Sequence, residues 1–110
     1  MNRREVERIL RKVPREKAFY FFTSIGNYTG ESAASLGEFV EKLKTVNSKS
    51  LEFHLHRGDF EKWVADTLED KELAEEIGVL RRVPSLMGEN LRRKLHFIVS
   101  RRHDQLKSLF

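Results

Sequence analysis

The sequence predicts a mainly α-helical fold, an irregular bundle of four to six helices. Three observations predict it. Apolar residues recur at helical spacing in several separate stretches. Helix-start signals stand in front of those stretches, at Asn2, Ser35, Asp59 and Asp70. Glycine and proline punctuate the gaps, at Pro14, Gly58, Gly78 and Pro84.

The elements follow in order. Asn2 to Val13 reads as a helix, because Val6, Ile9, Leu10 and Val13 form one stripe, Asn2 and Glu5 make a capping pair, and Pro14 ends the pattern. Residues 18–25, AFYFFTSI, read equally as a short strand or a short buried helix. Gly26 to Gly30 reads as a loop. Ser35 to Val46 reads as a helix with a Ser35/Glu38 capping box and a Leu36, Phe39, Val40, Leu43 face. Asn47 to Ser50 reads as a turn.

Residues 51–57 stay open between helix and strand. Leu51, Phe53 and Leu55 alternate with Glu52, His54 and His56, as in a strand. In a continuous helix, Phe53, Phe60, Trp63, Val64 and Leu68 share a face. A helix–corner–helix is the preferred reading, with Gly58 ending one element and Asp59 capping the next. Asp70 caps a short helix through Leu73, Ala74 and Ile77 that Gly78 ends. From Gly88 a long helix reaches Leu109, with Leu91, Leu95, Ile98, Val99, Leu106 and Leu109 as its stripe.

Composition bounds the function classes. At 110 residues the chain has the length of one domain, 1–110. Charged residues make up 35% and the mean hydropathy is −0.55, which predicts a soluble protein. There is no cysteine, which excludes disulfides, thiolate metal sites and cysteine nucleophiles. No charged-then-apolar leader and no apolar run of membrane-span length is visible. A cytoplasmic protein without membrane contact is expected. Charge is segregated: residues 1–15 carry +4, residues 16–80 carry −6, and residues 81–110 carry +6. Either the basic ends bind a polyanion, or they fold against the acidic middle and neutralise it. The second reading is preferred.

Several pieces together resemble a known family: Phe21-Phe22, Gly26-x-Tyr28-Thr29-Gly30, Ser35-Leu36-x-x-Phe39, Ser50-Leu51-x-Phe53-His54, Gly58-Asp59-Phe60-x-x-Trp63, Leu73-Ala74 and Gly88-Glu89-x-Leu91-Arg92. The chain resembles a group of small archaeal and bacterial proteins known only as a domain of unknown function. The resemblance spans about residues 18–106 and implies a helical accessory module. It supplies no reaction and no catalytic residue. Members of that group often have Gly before Asp70, where this chain has Glu69.

Four constellations could carry function. His54, His56 and Asp59 are the candidate metal or acid–base site, since imidazole and carboxylate bind divalent metals. A zinc site would need further ligands from Glu52, Glu61 or His96. On a helix, however, the two histidines stand about 200° apart, which weakens that reading. The alternative has His54 packing near Trp63 or bonding backbone, and Asp59 capping a helix. Trp63, with Phe53 and Phe60, is either the core anchor or part of a partner-facing patch. On the last helix, Arg93, Lys94 and Arg101 share one flank with Phe97, and Lys107 lies on the other flank with Arg92, His96 and His103, a pattern that suits nucleic acid or a solvated basic face. Arg102 interrupts the apolar stripe, and either snorkels or pairs with a carboxylate such as Glu52, Glu61 or Asp66. The triplet Arg57-Gly58-Asp59 is read as a helix turn rather than an adhesion motif.

The first functional expectation is therefore a non-enzymatic interaction module without a cofactor, touching a protein partner or a second copy through Trp63, Phe97 and Arg102. A nucleic-acid binder using the last helix is the first alternative. A small metal-dependent enzyme at His54, His56 and Asp59 is the second.

Overall fold

The computed structural model describes residues 1–110. Helix α1 (Arg3–Leu10) starts at Asn2, whose Oδ1 accepts from the Glu5 N–H at 2.9 Å, while Glu5 reaches back to the Asn2 N–H. The helix stops at Leu10 rather than Val13. A proline disfavours helical backbone at the residue before it, so Val13 leaves the helix. Val13 still packs in the core and donates its N–H to the Ala34 carbonyl at 2.7 Å.

A 3₁₀ turn at Arg15–Lys17 leads into a hairpin of β1 (Phe19–Ser24) and β2 (Asn27–Ala33). Residues 18–25 thus resolve as a strand, and Gly26–Gly30 is not a loop. Only Ile25 and Gly26 make the turn, with Gly26 at φ 82°. The two strands pair antiparallel, Phe19 with Ala33 and Phe22 with Tyr28, with irregular register between. β2 hid in the sequence because Asn27, Gly30 and Ser32 are turn-type residues and Glu31 is of a type depleted in strands. An outer strand that lies largely in solvent tolerates such composition.

Helix α2 (Leu36–Thr45) is capped by Ser35, whose Oγ accepts from the Glu38 N–H at 3.1 Å. Glu38 reaches one residue further back than a standard box, accepting from the Ala34 N–H at 2.9 Å. Helix α3 (Ser48–Arg57) settles the open segment as helical. Asn47 caps it through the Lys49 N–H at 2.8 Å, so Asn47–Ser50 is a cap and first turn rather than a connecting turn. Gly58 ends α3 in the left-handed conformation at φ 77°. The chain continues as α4 (Asp59–Lys62) and a π-helical turn (Trp63–Leu68), which Glu69 closes at φ 66°.

Helix α5 (Lys71–Arg81) begins with Asp70 accepting from the Leu73 N–H at 3.2 Å. It runs through Gly78 to Arg81 rather than ending at Gly78. Gly78 is buried in mid-helix, and a Cβ there would come within 2.9 Å of Glu61 Oε2. The missing side chain lets Glu61 of α4 approach α5. Helix α6 (Gly88–Lys107) takes the Glu52 carboxylate at its first amide, Gly88 N–H to Oε2 at 2.7 Å, a favourable charge at a helix N-terminus. Leu91, Leu95, Val99 and Leu106 line its inner face, while Leu109 lies beyond the helix and is exposed.

The fold is therefore mainly helical, six α-helices with a two-stranded antiparallel sheet. Its core is one cluster of 26 apolar side chains drawn from the hairpin and all the helices. No helix is long and apolar enough to cross a membrane.

Candidate functional site

The Gly58 corner determines the setting of His54. By turning left-handed, Gly58 folds Asp59 back against the last turn of α3. His54 Nδ1 and Asp59 Oδ2 then lie 2.8 Å apart. On the ring's other side, Nε2 accepts the Phe22 N–H of β1 at 2.8 Å. An acceptor at Nε2 places the ring proton on Nδ1, where it donates to Asp59. The imidazole is 4% exposed and packs against the rings of Phe19, Phe53 and Phe60 at 4.8, 5.0 and 5.6 Å. Burial pushes its pKa below the ordinary value, and the hydrogen bond and charge of Asp59 oppose this without overcoming it.

This geometry corrects the metal reading. His54 and Asp59 do meet, but as a hydrogen-bonded pair, and both ring nitrogens are engaged. His56 points to solvent. Of the further ligands considered, Glu52 caps α6 and Glu61 pairs with Arg81. No group of three or more His, Asp or Glu side chains is placed to hold a metal ion. Asp59 is also not a helix cap, since its carboxylate serves His54 and lies 3.3 Å from Arg57 Nε.

Trp63 and Arg102 face inward, which corrects their reading as partner contacts. Trp63 is buried among Phe19 and Phe39, and its indole N–H donates to the Lys17 carbonyl at 2.8 Å. Arg102 forms a two-pronged pair with Asp70, Nε to Oδ2 at 2.8 Å and Nη2 to Oδ1 at 3.0 Å, and Nη1 adds Glu72 at 3.0 Å. Burial disfavours its charge, but the hydrogen bonds and charge of Asp70, with Glu72 and Glu76, outweigh that and raise its pKa. The pair with the acidic middle exists, but its partner is Asp70 rather than Glu52, Glu61 or Asp66. The Asp70 carboxylate both caps α5 and receives Arg102. Other basic groups of the two ends follow the same course. Arg8 and Arg11 reach Glu69 at 3.6 and 3.9 Å, Lys12 reaches Glu38 at 3.8 Å, and Arg101 reaches Glu76 at 3.0 Å.

Phe97 is placed differently. It stands 60% exposed in the middle of α6, with the Arg101 guanidinium 5.3 Å from its ring centre. It borders a groove of about 700 Å³ shared with Leu80, Arg93, Lys94 and Ile98. Arg93 bonds only Asn90, and neither it nor Lys94 nor Lys107 pairs with a carboxylate. Arg93, Lys94 and Phe97 are thus brought together, Arg101 joins them already bound to Glu76, and Lys107 lies on the other flank.

The corner, the hairpin and α6 all fall within residues 14–109, and a family model matches over that whole stretch. The chain belongs to DUF5752, a family of unknown function. No curated protein and no solved structure matches the chain. Within this member of the family, the His54–Asp59–Phe22 linkage is a structural clasp that joins β1 to the α3–α4 corner.

One set of residues escaped the sequence reading. Phe22, Ile25, Phe53 and Arg57 border a second groove beside the clasp, of about 360 Å³. The signal available was the four-residue spacing of Phe53 and Arg57, which puts an arginine over an aromatic ring on one helix face. The separation is 4.9 Å.

Proposed function

We propose that the chain is a small non-enzymatic interaction module, which binds an acidic, partly apolar segment of a protein partner on the outer face of α6. The observation that carries this is Phe97, a large aromatic held 60% exposed in mid-helix beside a groove of about 700 Å³. Aromatic side chains with adjoining arginine are favoured at binding hot spots. Arg93 and Lys94 at the rim have no carboxylate of their own, so the complementary partner brings acidic groups. The non-enzymatic part is supported by His54, whose two ring nitrogens are both engaged within the fold by Phe22 and Asp59.

A photo-crosslinking side chain at position 97, with position 44 on α2 as control, tests the reading in cells. A defined protein captured at 97 and not at 44, and lost when Arg93 and Lys94 are both changed to Glu, is the expected result. Equal capture at both positions removes the proposal.

Nucleic acid is the second reading. It is supported by the stacking of Arg101 on Phe97, an arrangement that also suits a nucleobase. It predicts retention on single-stranded nucleic acid that falls steeply with salt and is lost on joint replacement of Arg93, Lys94 and Arg101. No retention at low salt eliminates it.

A further inference from the structure

The groove beside the clasp shares no lining residue with the α6 face and stands independently of the function just proposed. Its apolar lining is mainly aromatic, with Phe22 from β1 and Phe53 from α3, and His54 and Asp59 of the clasp also border it. Ile25, at the hairpin tip, forms one lip and is 84% exposed. At the other end stands Arg57.

That arginine is held on two sides. Its guanidinium lies 4.9 Å from the Phe53 ring centre, and Nε lies 3.3 Å from Asp59 Oδ2. Its two terminal nitrogens, Nη1 and Nη2, have no partner in the protein. Asp59 is already committed, because the same oxygen accepts the proton of His54. His54 itself is neutral and adds no charge. The other side of Arg57 borders a hollow carrying four further cations, Lys62, Lys71, Arg81 and Arg82, against two carboxylates, Glu61 and Glu75, so basic groups outnumber acidic ones there even with Asp59 counted. An arginine fork can serve two carboxylates at once, as Arg102 does here with Asp70 and Glu72.

A guanidinium set over an aromatic ring, with its two terminal nitrogens free, at the end of an aromatic trough selects one ligand chemistry. We propose that this groove binds a small free carboxylic acid with an apolar body, the carboxylate on Arg57 Nη1 and Nη2 and the body against Phe22, Phe53 and Ile25. A volume of about 360 Å³ lies at the small end of ligand sites and suits a compact molecule rather than a length of chain.

The test is an NMR titration of the full chain with octanoate and 4-phenylbutyrate, each beside its neutral amide. The expected result is shifts confined to the amides near Phe22, Ile25, Phe53 and Arg57, with each acid bound about tenfold or more tightly than its amide, the preference a charge-assisted pair supplies. Arg57→Gln removes that preference while the melting temperature stays near that of the parent, since the side chain is half exposed. Ile25→Ser weakens acid and amide alike. Equal affinity for acid and amide, an unchanged preference in Arg57→Gln, or no shifts at millimolar ligand overturns the proposal. Tighter binding of a peptide that ends in the same apolar acid also overturns it, by moving the site to a chain terminus.

Discussion

His54 is a histidine used for its neutral form. Its Nε2 must stay unprotonated to accept the Phe22 N–H, and burial holds its pKa below the ordinary value. The unfolded chain therefore takes up a proton near pH 6.5, while the folded chain resists until a lower pH. The contribution of His54 to stability is complete above pH 6.5 and is lost as the pH falls from there toward its folded pKa. His103 on α6 is displaced in the same direction, by burial and by Lys107, and acts in the same window. The melting temperature is expected to fall between pH 7 and pH 5, and to fall less over that interval in His54→Gln. The His103→Gln single variant separates the two contributions. Arg102 is the opposite case, a charge kept by its partners. Arg102→Met leaves Asp70, 1% exposed, without its counter-charge, and is expected to cost about 3 kcal/mol in urea unfolding. Replacing Asp70 with Asn in the same chain should recover part of that loss. The stripe of α6 showed that position 102 faces the core. The identity of its partner was hidden, because a capping aspartate and an ion-pairing aspartate look alike in one dimension.

At the scale of elements, the helices were legible wherever a cap and an apolar stripe agreed, as at Asn2, Ser35 and Asp70. The hairpin was half legible: β1 is aromatic enough to show, while β2 is polar enough to look like a loop. The two ends of the α4–π segment illustrate a different limit. Gly58 and Glu69 both adopt left-handed backbone, but only the glycine does so without steric cost. The family resemblance pointed to Gly at position 69, and the backbone keeps the conformation that a glycine would prefer. Glu69 does hold Arg8 and Arg11, but at 3.6 and 3.9 Å between half-exposed side chains, pairs of this kind contribute little. Glu69→Gly is therefore expected to stabilise the protein by up to about 1 kcal/mol, read as a higher urea midpoint. A lower midpoint would mean that the ion pairs outweigh the backbone strain. Gly58→Ala is expected to destabilise by about 1 kcal/mol for the converse reason, and to weaken the His54–Asp59 contact that the corner creates.

In the whole molecule, the segregated charges close on one another. The basic N-terminal segment meets Glu69 and Glu38, and the basic last helix meets Asp70, Glu72 and Glu76. Helix α1 precedes the segment that the family model covers, yet Val6 and Ile9 are buried in the common core. The joint replacement Val6→Ala and Ile9→Ala should therefore cost about 3 kcal/mol or more in chemical denaturation. A negligible loss would show α1 to be dispensable to the core. Local signals determined by themselves the helical class, most helix starts and the surplus of cations on α6, because each rests on neighbours within a turn or two. Tertiary structure alone decided that His54 serves Phe22, that Asp70 rather than Glu52, Glu61 or Asp66 receives Arg102, and that Phe53 and Arg57 face a groove. Those pairings join residues 32 positions apart, His54 to Phe22 and Arg102 to Asp70. At that separation only the packing of the core determines which side chains meet.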